Sequence, residues 1–235
     1  MAEFRYVGSE LDLFAAVHNW KSYWSSRIRP FISGDVLEVG AGIGSNTPYL
    51  HRGNGRFVCL EPDPLLAAQL ASSLSQAGAG AACEVVCGTV QTLEARRFDT
   101  ILYIDVLEHI EDDRNELETA ARVLAKGGRL IVLSPAHQRL FTAFDAAIGH
   151  FRRYNRRMLR SISPPGLRLE KMWYLDSAGL VLSLANRHLL RQSMPTAAQL
   201  RFWDHYVIPV SRVLDRCFFG SVGKSVVAIW RRESQ

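Results

Sequence analysis

Glu38, Gly40, Gly42 and Gly44 fall at alternate positions in the stretch VLEVGAGIG at 36–44. Glycines so closely spaced leave out side chains where something must approach the backbone, and an acid just before them can face a cation. A second acid, Glu61, is followed by Pro62. A third group sits in ILYIDVLEHIEDD at 101–113, where Asp105, Val106 and Leu107 lead to Glu108 and His109. A fourth is IGHFRRY at 148–154, with His150 beside Arg152, Arg153 and Tyr154, and with His137 a short way upstream. Histidines exchange protons near neutrality, and arginines orient anionic or hydroxylated molecules. The four cysteines, Cys59, Cys83, Cys87 and Cys217, form no CxxC pair. The first three fall in expected buried strands and read as reduced core thiols, so no metal is expected.

These residues need elements to hold them. Strand and helix signals alternate, which predicts βαβ units and a mainly parallel sheet. Strands are expected at 36–40, 56–61, 83–88, 98–105, 129–135, 167–175 and 224–230. Ser45 can cap a first helix through Tyr49 and Leu50. Asp63 followed by Pro64 opens a second, which the glycines at 78 and 80 should end. EDDRNELETAARVLAKGG has acids in its first turn, Lys126 in its last and Gly127 and Gly128 as a stop. After the fifth strand the rhythm breaks: residues 136–154 form a connection longer than a structural link needs. Asn155 caps a short helix. Between the sixth and seventh strands two helices, near 177–192 and 197–218 and bent or broken at Pro195 and Pro209, form a cap. The N-terminal HNWKSYW places Trp20, Tyr23 and Trp24 at helical spacing, either as packing or as a lid over the glycine turn.

A strand ending in glycines that opens a helix is a nucleotide-type site. The dinucleotide pattern fails, because Ser45 stands where its last glycine should be, and a phosphate loop fails for want of GK[ST]. The turn E-x-G-x-G-x-G, the acid Glu61 on the second strand and the D-x-L-E-H loop together resemble the class I S-adenosylmethionine (SAM) dependent methyltransferases. That resemblance implies a Rossmann-like, doubly wound α/β fold. It has a seven-stranded, mainly parallel sheet and a helical cap between strands six and seven. It implies a cofactor site of Glu38, Gly40, Ala41, Gly42, Gly44, Glu61, Pro62, Thr89, Val90, Asp105, Val106, Leu107 and His109, with Glu61 accepting from the ribose hydroxyls. S-adenosylhomocysteine would be the product. The stretch Cys87-Gly88-Thr89-Val90 lacks the acid that many members use against the adenine amino group. The segment at 148–154 resembles a GHxRRY stretch in a bacterial branch of these enzymes.

The chain then reads as one domain: a helical lid over 1–35, a SAM-binding core over 36–135 and a substrate side over 136–235. A sulfonium and an ammonium suit the carboxylates, whereas pyrophosphate would be repelled. His150 and His109 are the candidate bases, and His137, Arg152, Arg153, Tyr154, Trp20 and Tyr23 the candidate acceptor contacts. The expected reaction is methyl transfer to a small molecule, at an oxygen of a metabolite or of a glycan or lipid intermediate. The alternatives are a SAM-binding module without transfer and a nucleic-acid methyltransferase; the D/N-P-P-[YFW] signature of many base-amino methylases is absent, so no nucleic-acid partner is expected. An apolar fraction of 48% and a charged fraction of 22% fit a globular chain rather than a disordered one. The N-terminus lacks a secretory pattern, which predicts a cytoplasmic protein. The apolar run at 178–185 is far short of the ~20 residues that span a bilayer. Residues 1–135 carry 12 basic against 17 acidic side chains, while 136–235 carry 16 against 6. So basic a second half suits an acidic substrate or peripheral contact with anionic lipid, if it is more than solvated helix faces.

Overall fold

The computed structural model describes residues 5–6, 8, 11–51, 53, 55–76, 82–189 and 196–233, without the side chains of 186–189. Seven strands form one sheet: β1 (Val36–Val39), β2 (Phe57–Glu61), β3 (Cys83–Cys87), β4 (Phe98–Ile104), β5 (Leu124–Pro135), β6 (Leu167–Leu175) and β7 (Ser225–Arg232). Their order is β3-β2-β1-β4-β5-β7-β6, all parallel except β7, which runs antiparallel to both neighbours. Central strands are apolar on both sides because both faces are covered. Leu102, Ile104, Ile131 and Leu133 pack into one core, and Ile101, Tyr103, Leu130 and Val132 into the other. The strand order reverses between β1 and β4. Connections leaving there diverge, which opens a crevice at the carboxyl ends of the strands.

Helices α1 (Leu11–Ala15) and α2 (His18–Ile28) precede the sheet; α3 (Thr47–Leu50), α4 (Pro64–Gln76) and α5 (Asp113–Val123) link its first strands. The Asp63 side chain accepts from the amides of Leu65 and Leu66, which is the expected cap of α4. The glycines expected to end α4 lie outside the described residues. Two expectations need correction here. Ser45 does not cap α3, which starts at Thr47 after Asn46, because the glycine turn runs on through Ser45. The helix α5 stops at Val123, so Lys126, Gly127 and Gly128 belong to β5. Leu124 already pairs with Phe98, and the register shifts before Arg129 meets Thr100. A Cβ on Gly128 would lie 2.9 Å from the carbonyl oxygens of Ala125 and Asp99, so that glycine serves the strand crossing and not a helix stop. Cys87 is a third correction. It is exposed at the end of the edge strand β3, while Cys59 and Cys83 are buried; all four thiols are free.

The connection 136–154 folds over the crevice with α6 (Ala143–Ala147), then α7 (Arg156–Ser161) follows, its first turn capped by the Asn155 side chain. Between β6 and β7 lie α8 (Ser177–Leu189), α9 (Ala197–Phe202) and α10 (Ile208–Cys217). No break occurs at Pro209. A wide π-turn at Trp203–Val207 joins α9 to α10, and the proline occupies the first turn after it, where a missing N–H is tolerated. Pro195 lies outside the described residues. The cap is tied to α2 and β6 by acids: Asp204 accepts from the amides of Asn19 and Trp20, and Asp215 from Tyr23 Oη and the amides of Asp176 and Ser177.

Candidate active site

A cavity of about 1030 Å³ fills the crevice between the sheet and the cap. Its floor is the β1 turn and the loop after β4. Its far wall is the 142–153 segment, and α2, α8 and α9 close it above. The three turn glycines do different things. All have positive φ, which only glycine adopts freely. On Gly40 a Cβ would come within 2.8 Å of the Val106 methyls, and on Gly44 within 2.5 Å of Leu70, so both are fixed by protein neighbours. At Gly42 the nearest atoms are the Leu11 methyls at 3.7 Å and beyond, so this Cβ would project into the cavity.

Behind the turn, Glu38 is 2% exposed, and its carboxylate accepts from Thr47 Oγ1. Burial raises its carboxyl to about 7, against the pull of that hydrogen bond and of Lys21. Glu61 accepts from the amides of Gly42 and Asp63, and burial pushes its carboxyl up despite them. It therefore braces the Gly42 turn directly.

Asp105 adopts positive φ at the end of β4 and opens into the cavity. The protein packed round it raises its carboxyl to about 6, while His150, Lys224 and Lys21 act the other way. Glu108 is fully buried, and neither carboxylate oxygen has a hydrogen-bond partner. Burial, reinforced by Asp105, raises its carboxyl well above the usual range. His109 is pushed down to about 3 by burial and by His150, whose ring centroid lies 4.4 Å away. Glu108, His109 and His150 offer donor atoms within 4.8 Å of one another, the one group among the described residues that could hold a metal ion.

The far wall is ordered around Asp145. Its carboxylate accepts from Arg153 at 2.7 and 3.0 Å, from Thr142 and from His150 Nδ1 at 3.1 Å. Burial opposes its charge, yet His150 and Arg153 outweigh that and hold it below the ordinary range. An ionised Asp145 only accepts, so it holds a proton on His150 Nδ1; in the neutral ring this leaves the lone pair on Nε2, which lies 3.9 Å from Glu108 Oε1. Lys21, lowered to about 8 by burial, and Lys224 complete the polar lining.

Of the expected cofactor residues, Gly40, Ala41, Gly42, Asp105 and His109 line the cavity. Glu38, Gly44, Glu61, Pro62, Thr89, Val90, Val106 and Leu107 do not line it. Of the expected acceptor residues, His150, Arg153 and Trp20 line it. Arg152 and Tyr154 both turn to Asp113, His137 stacks on Tyr174 and binds the Gly223 carbonyl, and Tyr23 is engaged with Asp215. Sequence reasoning missed Lys21 and Lys224, single lysines with no pattern around them, and Asp145, whose ordering of the wall shows only in its folded contacts.

Residues 37–132 match a family described as a methyltransferase domain. Among curated proteins, a demethylmenaquinone methyltransferase of Tropheryma whipplei (strain Twist) is 30% identical over 109 residues, 46% of this chain and 45% of that one. The chain thus spans less than half the length of the curated relatives it matches. Among solved structures, the mitomycin 7-O-methyltransferase MmcR has a TM-score of 0.58 at 16% identity, covering 94% of this chain and 57% of that one. The [4+2]-cyclase SpnF has a TM-score of 0.62 at 14% identity, covering 92% and 81%. At such identities the likeness is one of fold, and these two names show that one fold carries different chemistry.

Proposed function

We propose that this chain is a class I SAM-dependent methyltransferase and moves a methyl group to an oxygen of a small molecule with an apolar body. One observation carries the reading: a single cavity joins the open face of Gly42 and the Asp105–His109 loop to the ordered Asp145–His150–Arg153 wall. Bound SAM would supply an electrophilic methyl on a sulfonium. The Gly42 face would leave room for it, Asp105 would offset its positive charge, and Glu61, bonded to the amides of Gly42 and Asp63, would hold the turn that receives it.

The residues do the rest by placement and proton handling. Trp20, Trp24, Phe144 and Trp203 give the cavity apolar walls that exclude water. His150 Nε2 takes the acceptor's hydroxyl proton as the oxygen attacks, and Asp145 stabilises the imidazolium that results. Arg153 locks Asp145 in place. His109, held neutral by burial, packs against His150.

The test is release of labelled methyl from SAM over a panel of metabolite and lipid extracts, with SAM binding measured by calorimetry. His150→Ala should leave SAM affinity within about 1 kcal/mol of wild type and lower turnover by ~10²-fold or more. A variant that keeps its fold yet no longer binds SAM would move the 148–154 segment to the cofactor side and overturn this assignment.

A further inference from the structure

We infer that the outer face of the cap docks on an anionic phospholipid bilayer, and that the acceptor cavity opens within the docked face. The first support is where apolar surface is left. Of the twelve large apolar side chains exposed among the described residues, ten fall between positions 181 and 222. Monomeric proteins scatter such residues singly; concentrating them marks a contact surface. On the continuous helical run from α9 through α10, Phe202, Tyr206, Val210 and Val213 follow each other at spacings of four, four and three. That is one helical face. The opposite face, with Leu200, Trp203, Ile208 and Asp215, is buried against the body. Val181 and Leu184 extend the patch onto α8, and the loop after α10 adds Phe219, which is 91% exposed.

The charge around the patch selects the partner. Between 177 and 223 the only acids are Asp204 and Asp215, and both are buried and bonded inward. Arg201, His205 and Arg216 are exposed beside the stripe, and the same stretch of sequence also carries Arg187 and Arg191. The stripe's own elements expose no acid, and Asp12 of α1, exposed alongside Phe202 and Tyr206, faces Arg201 and His205 in the same hollow. An apolar stripe with this mainly basic border fits an anionic headgroup layer. A second copy of this chain would set like charges against like. No described helix is long and apolar enough to cross a membrane, so the cap lies on the surface.

Two residues join this surface to the site. Leu182 and Phe202 are exposed in the patch and also line the cavity. An acceptor with an apolar body can therefore leave the bilayer and enter the cavity without crossing water. This last step rests on the proposed methyl transfer; the docking does not.

Docking is measured on the full chain without SAM or acceptor, by sedimentation with phosphatidylcholine vesicles with and without phosphatidylglycerol. Wild type should bind the anionic vesicles and release them as salt rises. The double variant Val210→Glu/Val213→Glu, and separately Phe219→Glu, should bind at least ~10-fold more weakly with unchanged circular dichroism and SAM affinity. The inference is overturned if wild type ignores anionic vesicles at low salt, or if folded variants bind as well as wild type. It is equally overturned if ultracentrifugation shows a dimer that the double variant dissolves while vesicles go unbound, since a second copy would then cover the face.

Discussion

Two groups of acids, one in the crevice and one in the cap, differ in the donors that surround them. In the cap Asp176, Asp204 and Asp215 are buried, and each accepts several hydrogen bonds from helix termini, hydroxyls or an indole. In the crevice Glu38 has the Thr47 hydroxyl, Glu108 has no partner, and Asp105 opens into the cavity; all three carboxyls are raised, chiefly by desolvation. A buried acid with donors holds structure together. Glu108, buried without them, is destabilising until something arrives, Glu38 has one donor and Asp105 is exposed to the cavity, and acids so placed gather where ligands bind. The cap acids thus fix the roof, while the crevice acids are held ready beneath it.

The cap side of this contrast should give the largest effect. Asp215→Asn turns an amide N–H₂ toward donors that now face a carboxylate: Tyr23 Oη and two backbone amides. The loss should be about 3 kcal/mol, a fall of roughly 6–12 °C in melting temperature for a chain of this size. A melting point within a degree of wild type would break the contrast, because the cap acids would then not be structural.

Next comes a crevice acid, with the opposite sign. Glu38 titrates near 4.5 when unfolded and about 7 when folded, so between these values the folded state holds more protons. Its contribution is therefore best at low pH and is lost as pH rises through the window. Glu38→Gln, which cannot ionise, should gain roughly 3 kcal/mol relative to wild type between pH 4.5 and 7.5. Parallel unfolding curves across that range would show that Glu38 is ionised in the folded protein.

How much of this was legible follows the same division. The parallel core was readable because β1, β2 and β4 are apolar runs between turn signals, and the crevice followed from the glycine turn. The start of β5 was not, since ARVLAKGG has the composition of a helix end and only pairing of Leu124 with Phe98 reveals a strand. The far wall was half legible. His150 and Arg153 face the cavity, but Arg152 and Tyr154 do not, because the chain is extended there, with Tyr154 bridged to Ala136. In extended backbone neighbours alternate sides, so Arg152 and Tyr154 meet Asp113 together while Arg153 meets Asp145. A reading by residue type cannot see that alternation without knowing which neighbour packs where.

The glycine turn sharpens the contrast with its smallest effect. Three glycines look alike in sequence, yet only Gly42 has its missing side chain directed into the cavity. Gly42→Ala meets no atom closer than 3.7 Å, so its stability loss should be confined to backbone strain at φ +56°, about 1 kcal/mol. If SAM lies against this face as proposed, the new methyl would take up its space and should weaken binding by ~10-fold, or about 1.4 kcal/mol. Gly40→Ala provides the control. There the Cβ collides with Val106 inside the protein, so stability should fall by more than in Gly42→Ala. Calorimetry and thermal melts on the pair read both quantities at once. Equal SAM affinity for wild type and Gly42→Ala would mean that the open face of the turn is not where the cofactor lies, and the crevice acids would need another ligand to account for them.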